Sequence, residues 1–212
     1  MARPQAALDR NRWLALWSRL GARKNGDDVF QQLTRAYAEP ARIYHTAAHI
    51  ADCLEQFDTS RDLAGRPDEV EAALWFHDAV YVPGSSNNEE LSAQMARSVL
   101  MAAGSQSGVP ERVAEMILAT RHLGIPSDLD TQLLCDIDLS ILGRETAEFD
   151  NFEDRIRREY AWVPEPVYRT ARSEVLNGFL RRDSIYQTDR FAKLYENRAR
   201  QNLERALAAL AG

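Results

Sequence analysis

The chain has 212 residues, 45% of them hydrophobic and 27% charged, with a formal net charge of −6; such a chain can bury a real core in water, and its acidic balance argues against a general nucleic-acid binder. No apolar run approaches the roughly 18 residues needed to cross a bilayer, and the N-terminal stretch MARPQAALDRNRWLALWSRLGARK, interrupted by Arg12 and Arg19, reads as an amphipathic helix rather than a signal peptide. The two cysteines, Cys53 and Cys135, fall inside helical patterns, so neither a disulfide framework nor a zinc ribbon is expected and the reducing cytoplasm is the expected location.

The hydrophobic periodicity is helical throughout, with Gly and Pro as punctuation and no convincing strand. A first helix is expected over about 8–20, stopped by Gly21, and a second over 27–38, stopped by Pro40. A third covers about 43–57 (IYHTAAHIADCLEQF). The fourth opens with Pro67-Asp68-Glu69, a favourable first turn because proline fits N1 and acids suit a helix N-terminus, and runs to about Ala79. The loop YVPGSSNN carries the densest turn chemistry in the chain. Further helices are expected over 88–103, from Pro110 to about Gly124, from Asp128 to Leu142, over 145–160, from Pro164 to about 181, and over 189–210. The last places Leu203, Ala206, Leu207 and Leu210 on one stripe, which either buries within the domain or pairs with a second chain. With no internal repeat or low-complexity segment, the expected fold is one all-α domain spanning 1–212: a core of about five helices with helical additions at both ends, its motif core at about 40–145 and a helical extension from about 145.

Chemistry concentrates in a few residues. The four histidines are His45, His49, His77 and His122, and each is expected within a helical segment. His45 and His49 stand four apart and so would share a helix face. His77 is followed directly by Asp78 at the end of the apolar run VEAALWF. Asp136 and Asp138 lie in CDIDLSILG, itself largely apolar. A buried carboxylate costs several kcal/mol unless something pairs with it. Three separate helices thus each bring His or Asp into an apolar setting, the way helical bundles build metal sites. Each feature also has an ordinary reading: a surface or hydrogen-bonded histidine, a capping His-Asp pair, an N-capping aspartate. Residues 1–150 hold 14 basic and 23 acidic side chains, net −9, against 12 and 9, net +3, in the remainder. The acid excess lies where these residues are, in a region that would welcome a cation or simply forms an acidic surface.

The order His49, then His77-Asp78, then a distant aspartate resembles the HD-domain superfamily of metal-dependent phosphohydrolases, an all-helical group named for that ligand pattern. The phrases YHTAAHI, WFHDAVY, NNEELSA and DIDLSILG, with the tail IYQTDRFAKLYENRARQNLERAL, resemble one bacterial branch described as predicted HD-type hydrolases. The resemblance implies His49, His77, Asp78 and either Asp138 or Asp136 as ligands of one divalent metal; His49, followed by Ile50, fits the first position better than His45. His45 would then support the ligands or contact substrate. Asp78, through an oxygen not on the metal, is the expected base or water-orienting group, and Glu89 is expected to assist it unless it serves only as a helix N-terminal acid. Arg121 and His122 are candidates for phosphate, with Arg42 and Arg144 behind them, and Tyr81 and Tyr44 would wall the pocket. Two imidazoles with two carboxylates suit manganese, iron, cobalt, nickel or zinc rather than magnesium. The implied activity is hydrolysis of a phosphomonoester or phosphodiester of a nucleotide or small metabolite, with neither a nucleic-acid polymer nor a membrane as partner. The reading from a different class is a non-catalytic metal- or nucleotide-binding sensor or scaffold.

Overall fold

The computed structural model of the protein describes residues 8–212, and among these all regular structure is helical. The elements are α1 (Arg10–Arg19), α2 (Gly26–Ala36), α3 (Ala47–Asp58), α4 (Pro67–Phe76), α5 (Asn88–Ala103), α6 (Val109–Ala119), α7 (Leu129–Asp138), α8 (Thr146–Glu159), α9 (Glu165–Leu180) and α10 (Asp189–Ala211), with short 3-10 turns at Arg61–Leu63 and Leu139–Gly143. The all-α expectation holds. The first seven residues of the N-terminal stretch read as an amphipathic helix lie outside the described residues. No helix among those described is long and apolar enough to cross a membrane.

At three boundaries the departure from the sequence reading moves a histidine. The helix expected from 43 begins at Ala47, so His45 lies in the preceding turn and does not share a helix face with His49. Helix α4 ends at Phe76, which makes His77 its C-cap and puts Asp78 beyond it. Helix α6 ends at Ala119, leaving His122 in the following loop with φ +55°, a left-handed conformation.

The chain divides into two compact units, one running to Leu134 and the other from Cys135 onward, the division falling inside α7. In the first unit α4 is the central element, packed by α1, α3, α5 and α6. Every residue from Glu69 to Phe76 is buried, as expected of a helix that is apolar almost all round. An aromatic cluster covers one side, with Trp13 5.0 Å from Trp17, 5.2 Å from Trp75 and 5.7 Å from Phe76 between ring centroids. The two buried acids on α4, Glu69 and Glu71, are neutralised where they stand. Glu71 accepts from Arg12 Nε (2.7 Å), Arg61 Nη1 (2.7 Å) and Arg19 Nη2 (3.2 Å). Glu69 takes the fork of Arg112 at 2.7 and 2.6 Å, the bidentate geometry that arginine suits best. Asp130, in the first turn of α7, accepts from the Gly65 and Arg66 amides at 2.7 and 3.1 Å and so anchors the segment that leads into α4.

In the second unit α10 packs against α9 and against the Leu139–Gly143 turn. Gly143 permits that approach: a Cβ there would stand 2.8 Å from the Tyr195 carbonyl oxygen and 2.9 Å from its Cα. Buried Asn202 donates to the Leu142 and Arg144 carbonyls, both at 2.9 Å, closing the same junction. Of the stripe expected on the last helix, Leu203 is fully buried and Ala206, Leu207 and Leu210 are half-buried.

Three substitutions test these packing arguments. Glu71→Ala removes one carboxylate from three arginines that still reach water; the expected loss is about 2–3 kcal/mol, short of that for a fully buried pair, or a drop in melting temperature of roughly 5–10 °C. Glu165→Ala, at an exposed pair with Arg157 and Arg169, is expected to leave the midpoint where it is. Gly143→Ala overpacks the α10 junction and costs about 1–3 kcal/mol in denaturant titration.

Candidate metal centre

The C-terminal end of α4 is buried, so its last carbonyls need partners inside the protein. The residues around it supply them. The His77 amide donates to the Ala73 carbonyl at 2.9 Å, and His77 Nδ1 donates to the Leu74 carbonyl at 2.9 Å. The Trp75 carbonyl accepts from the Tyr37 hydroxyl at 2.8 Å, a phenol that burial holds well above its usual pKa. The Phe76 carbonyl accepts from the Ala79 amide at 2.9 Å. Beyond the helix, buried Arg42 donates to the carbonyls of Asp78 (2.6 Å), Ala79 (3.1 Å) and His45 (3.3 Å), as well as to the Glu39 carboxylate (3.1 Å). One guanidinium therefore ties the His77-Asp78 backbone to the turn that enters α3.

This arrangement sets the chemistry of His77. A carbonyl can only accept, so Nδ1 carries the proton and, in the neutral ring, Nε2 presents its lone pair. That lone pair meets His49 Nε2 at 3.1 Å. Asp78 Oδ2 stands 3.3 Å from His77 Nε2 and 3.5 Å from His49 Nε2. Cys53, one turn after His49 on α3, brings Sγ to 3.8 Å from both His49 ring nitrogens. The donor atoms of His49, Cys53 and His77 all lie within 4.8 Å of one another, and all three residues are buried. Burial pushes the Asp78 carboxyl up, but His77, His45 and His49 facing it outweigh that and hold it well below the usual carboxylate range.

The donor set fits a metal ion. Ligand nitrogens about 2.0–2.1 Å from a tetrahedral ion are about 3.3 Å apart, and a nitrogen and a sulfur about 3.6 Å. The observed spacings sit close to these values. The negative end of the α4 dipole, at His77, also favours a cation here. The buried cluster can thus hold a metal ion, in keeping with the expected cofactor in its general form.

The remaining candidates are placed as follows. His45 stacks on Tyr81, ring centroids 4.1 Å apart, and its ring lies 6.1 Å from that of His49; Tyr44 packs on His49 at 4.9 Å. Tyr44 and His45 thus lie beside His49, and Tyr81 covers His45. Asp136 has both carboxylate oxygens engaged: it accepts from the Gln187 amide (2.8 Å), the Thr188 amide (2.7 Å) and the Thr188 hydroxyl (2.7 Å), anchoring the entry to α10. Burial raises its carboxyl despite these bonds. Asp138 is the last residue of α7 and is half-buried. Glu89 lies in the first turn of α5, 4.0 Å from Arg121 Nε, and Arg121 is ion-paired with Glu90. His122 is half-buried in the loop after α6. Arg144 lies over the Tyr195 ring in the second unit. Arg42 has its guanidinium engaged by three carbonyls and a carboxylate.

Sequence reasoning missed Cys53, Asn88 and Ser92. The spacing His49-x-x-x-Cys53 carried the signal for the first, since i and i+4 share a helix face. Asn88 accepts from the Val82 amide (3.0 Å) and donates to its carbonyl (3.1 Å), while Ser92 does the same for Val80 (3.0 and 3.2 Å). Together they fasten the loop after Asp78 to α5, a role with no sequence signature beyond the phrase NNEELSA.

Comparison with family models, with curated proteins and with solved structures returns no match.

Arg42→Lys keeps every donor atom and loses the fork that positions them. Metal affinity, measured by competition with a chromophoric chelator, is expected to fall by about 10–100-fold, as when groups that orient metal ligands are removed.

Proposed function

We propose that the protein is a metal-dependent phosphohydrolase acting on a phosphomonoester or phosphodiester of a nucleotide or other small metabolite. The observation that carries this reading is the convergence of His49 Nε2, His77 Nε2 and Asp78 Oδ2 at 3.1–3.5 Å, the ligand order of the HD-type hydrolases that the sequence resembles. His49, His77 and Asp78 would hold the ion, and the resemblance implies a last aspartate, Asp138 or Asp136. Asp138 is preferred to Asp136 because three hydrogen bonds already occupy the Asp136 carboxylate. Two imidazoles and two carboxylates favour manganese, iron, cobalt, nickel or zinc over magnesium. When bound, such an ion lowers the pKa of water and polarises a phosphoryl oxygen.

The chain's own residues supply the rest. Asp78 uses one oxygen toward the two imidazoles, and the other orients the attacking water. His45 and Tyr81 form an aromatic wall against which a base or sugar packs. Glu89, at the first turn of α5, is the assisting acid in this scheme. Arg121 is the phosphate-binding candidate once it exchanges Glu90 for substrate, and His122, held by its left-handed backbone beside Arg121, is the second.

One observation favours the other class, a metal- or nucleotide-binding sensor without turnover. Arg42 and Arg121 are both committed to groups of the protein, and a site with no arginine for phosphate stabilises the transition state poorly. Turnover assays over a panel of phosphorylated metabolites, with manganese, cobalt, nickel and zinc, decide between the two. Hydrolysis by the native chain that falls by at least about 10³-fold in both His77→Ala and Asp78→Ala is the expected result. Rates equal to those variants, with metal bound, leave the sensor reading.

A further inference from the structure

We infer that Cys53 is a sulfur ligand of the metal held by His49 and His77, and that it turns the centre toward soft and borderline ions, zinc, cobalt and cadmium, and away from manganese and magnesium. The inference rests on the metal-centre reading above and adds a ligand type that the His…His-Asp…Asp pattern does not contain.

Four observations support it. Cys53 lies one turn after His49 on the same face of α3, so the thiol and the imidazole are neighbours. Its sulfur is 3.8 Å from His49 Nε2, the nitrogen that faces His77, against about 3.6 Å for nitrogen and sulfur on one tetrahedral ion. It also lies within 4.8 Å of the His77 donor. The thiol is 2% exposed, so water does not compete for it. An apolar residue would fill this core position equally well; sulfur adds a donor. On coordination the S–H bond breaks, its proton passes to solvent and a sulfur–metal bond forms; no oxidant is involved. A thiolate ranks ions by softness. Magnesium, which prefers oxygen ligands and keeps its waters, is the worst fit.

The test is optical and needs no substrate. Metal-free full-length protein is titrated anaerobically with cobalt(II). The wild type is expected to develop visible d–d bands together with an intense near-ultraviolet sulfur-to-cobalt charge-transfer band. C53S is expected to keep the visible bands and lose the ultraviolet one, whereas C135S keeps both. The cadmium-over-manganese affinity ratio is expected to fall by about 100-fold in C53S. Visible bands without the charge-transfer band in the wild type, or a charge-transfer band that survives in C53S, overturn the sulfur ligand and leave the metal centre standing. If the wild type retains no cobalt(II) on gel filtration, the metal-centre reading itself fails and takes this one with it. The wild-type spectrum decides even if C53S does not fold.

Discussion

A helix buried on every side cannot leave its last carbonyls to water, and this constraint organises the first unit. Helix α4 is that helix. Its final turn is closed by the His77 amide and ring, the Tyr37 hydroxyl and the Ala79 amide, and the chain beyond it by Arg42. The functional consequence follows from one of these bonds. Because His77 Nδ1 is used to satisfy Leu74, the opposite nitrogen is left to face His49 and Asp78. Backbone satisfaction and ligand orientation are therefore one interaction, and the tautomer that a metal requires is set by the fold.

The same logic extends to the residues around the site. His49 sits on α3, His77 caps α4, and Asp78 is held through its own carbonyl by Arg42, whose side chain is enclosed between the Tyr37 and Tyr81 rings at 5.3 and 5.5 Å. The loop that follows is fastened at Val80 and Val82 by Ser92 and Asn88. Around α4, the charges that burial would penalise are cancelled locally, by arginines at Glu71 and Glu69. Electrostatic compensation thus appears in two forms on one helix: salt bridges near its N-terminus and, at its C-terminus, imidazoles that offset the Asp78 charge and that a metal ion would complete.

The helices were legible in the sequence because their signals are local. Gly104 after α5, Pro67 at the start of α4 and the stripe of α10 each mark an element without help from the rest of the chain. His49, His77 and Asp78 were legible as candidates because a polar residue inside an apolar run is conspicuous on physical grounds alone. Helix ends near the site were less so: α3 starts four residues later than expected, and α4 stops at Phe76, where Tyr37 and Arg42, distant in sequence, satisfy the Trp75 carbonyl and the carbonyls beyond the helix.

What the sequence by itself determined is therefore the helical class, the order of the elements and the short set of residues with metal-binding chemistry, since periodicity, capping and residue type act within a few positions along the chain. Three-dimensional packing put Cys53 beside His49 and His77, gave Asp136 to Gln187 and Thr188, and committed Arg42 to three backbone carbonyls and the Glu39 carboxylate. Those outcomes depend on which donor meets which acceptor across as many as 52 residues of chain. Such a pairing is settled by packing, because a buried polar group takes whatever partner the fold places within hydrogen-bond reach.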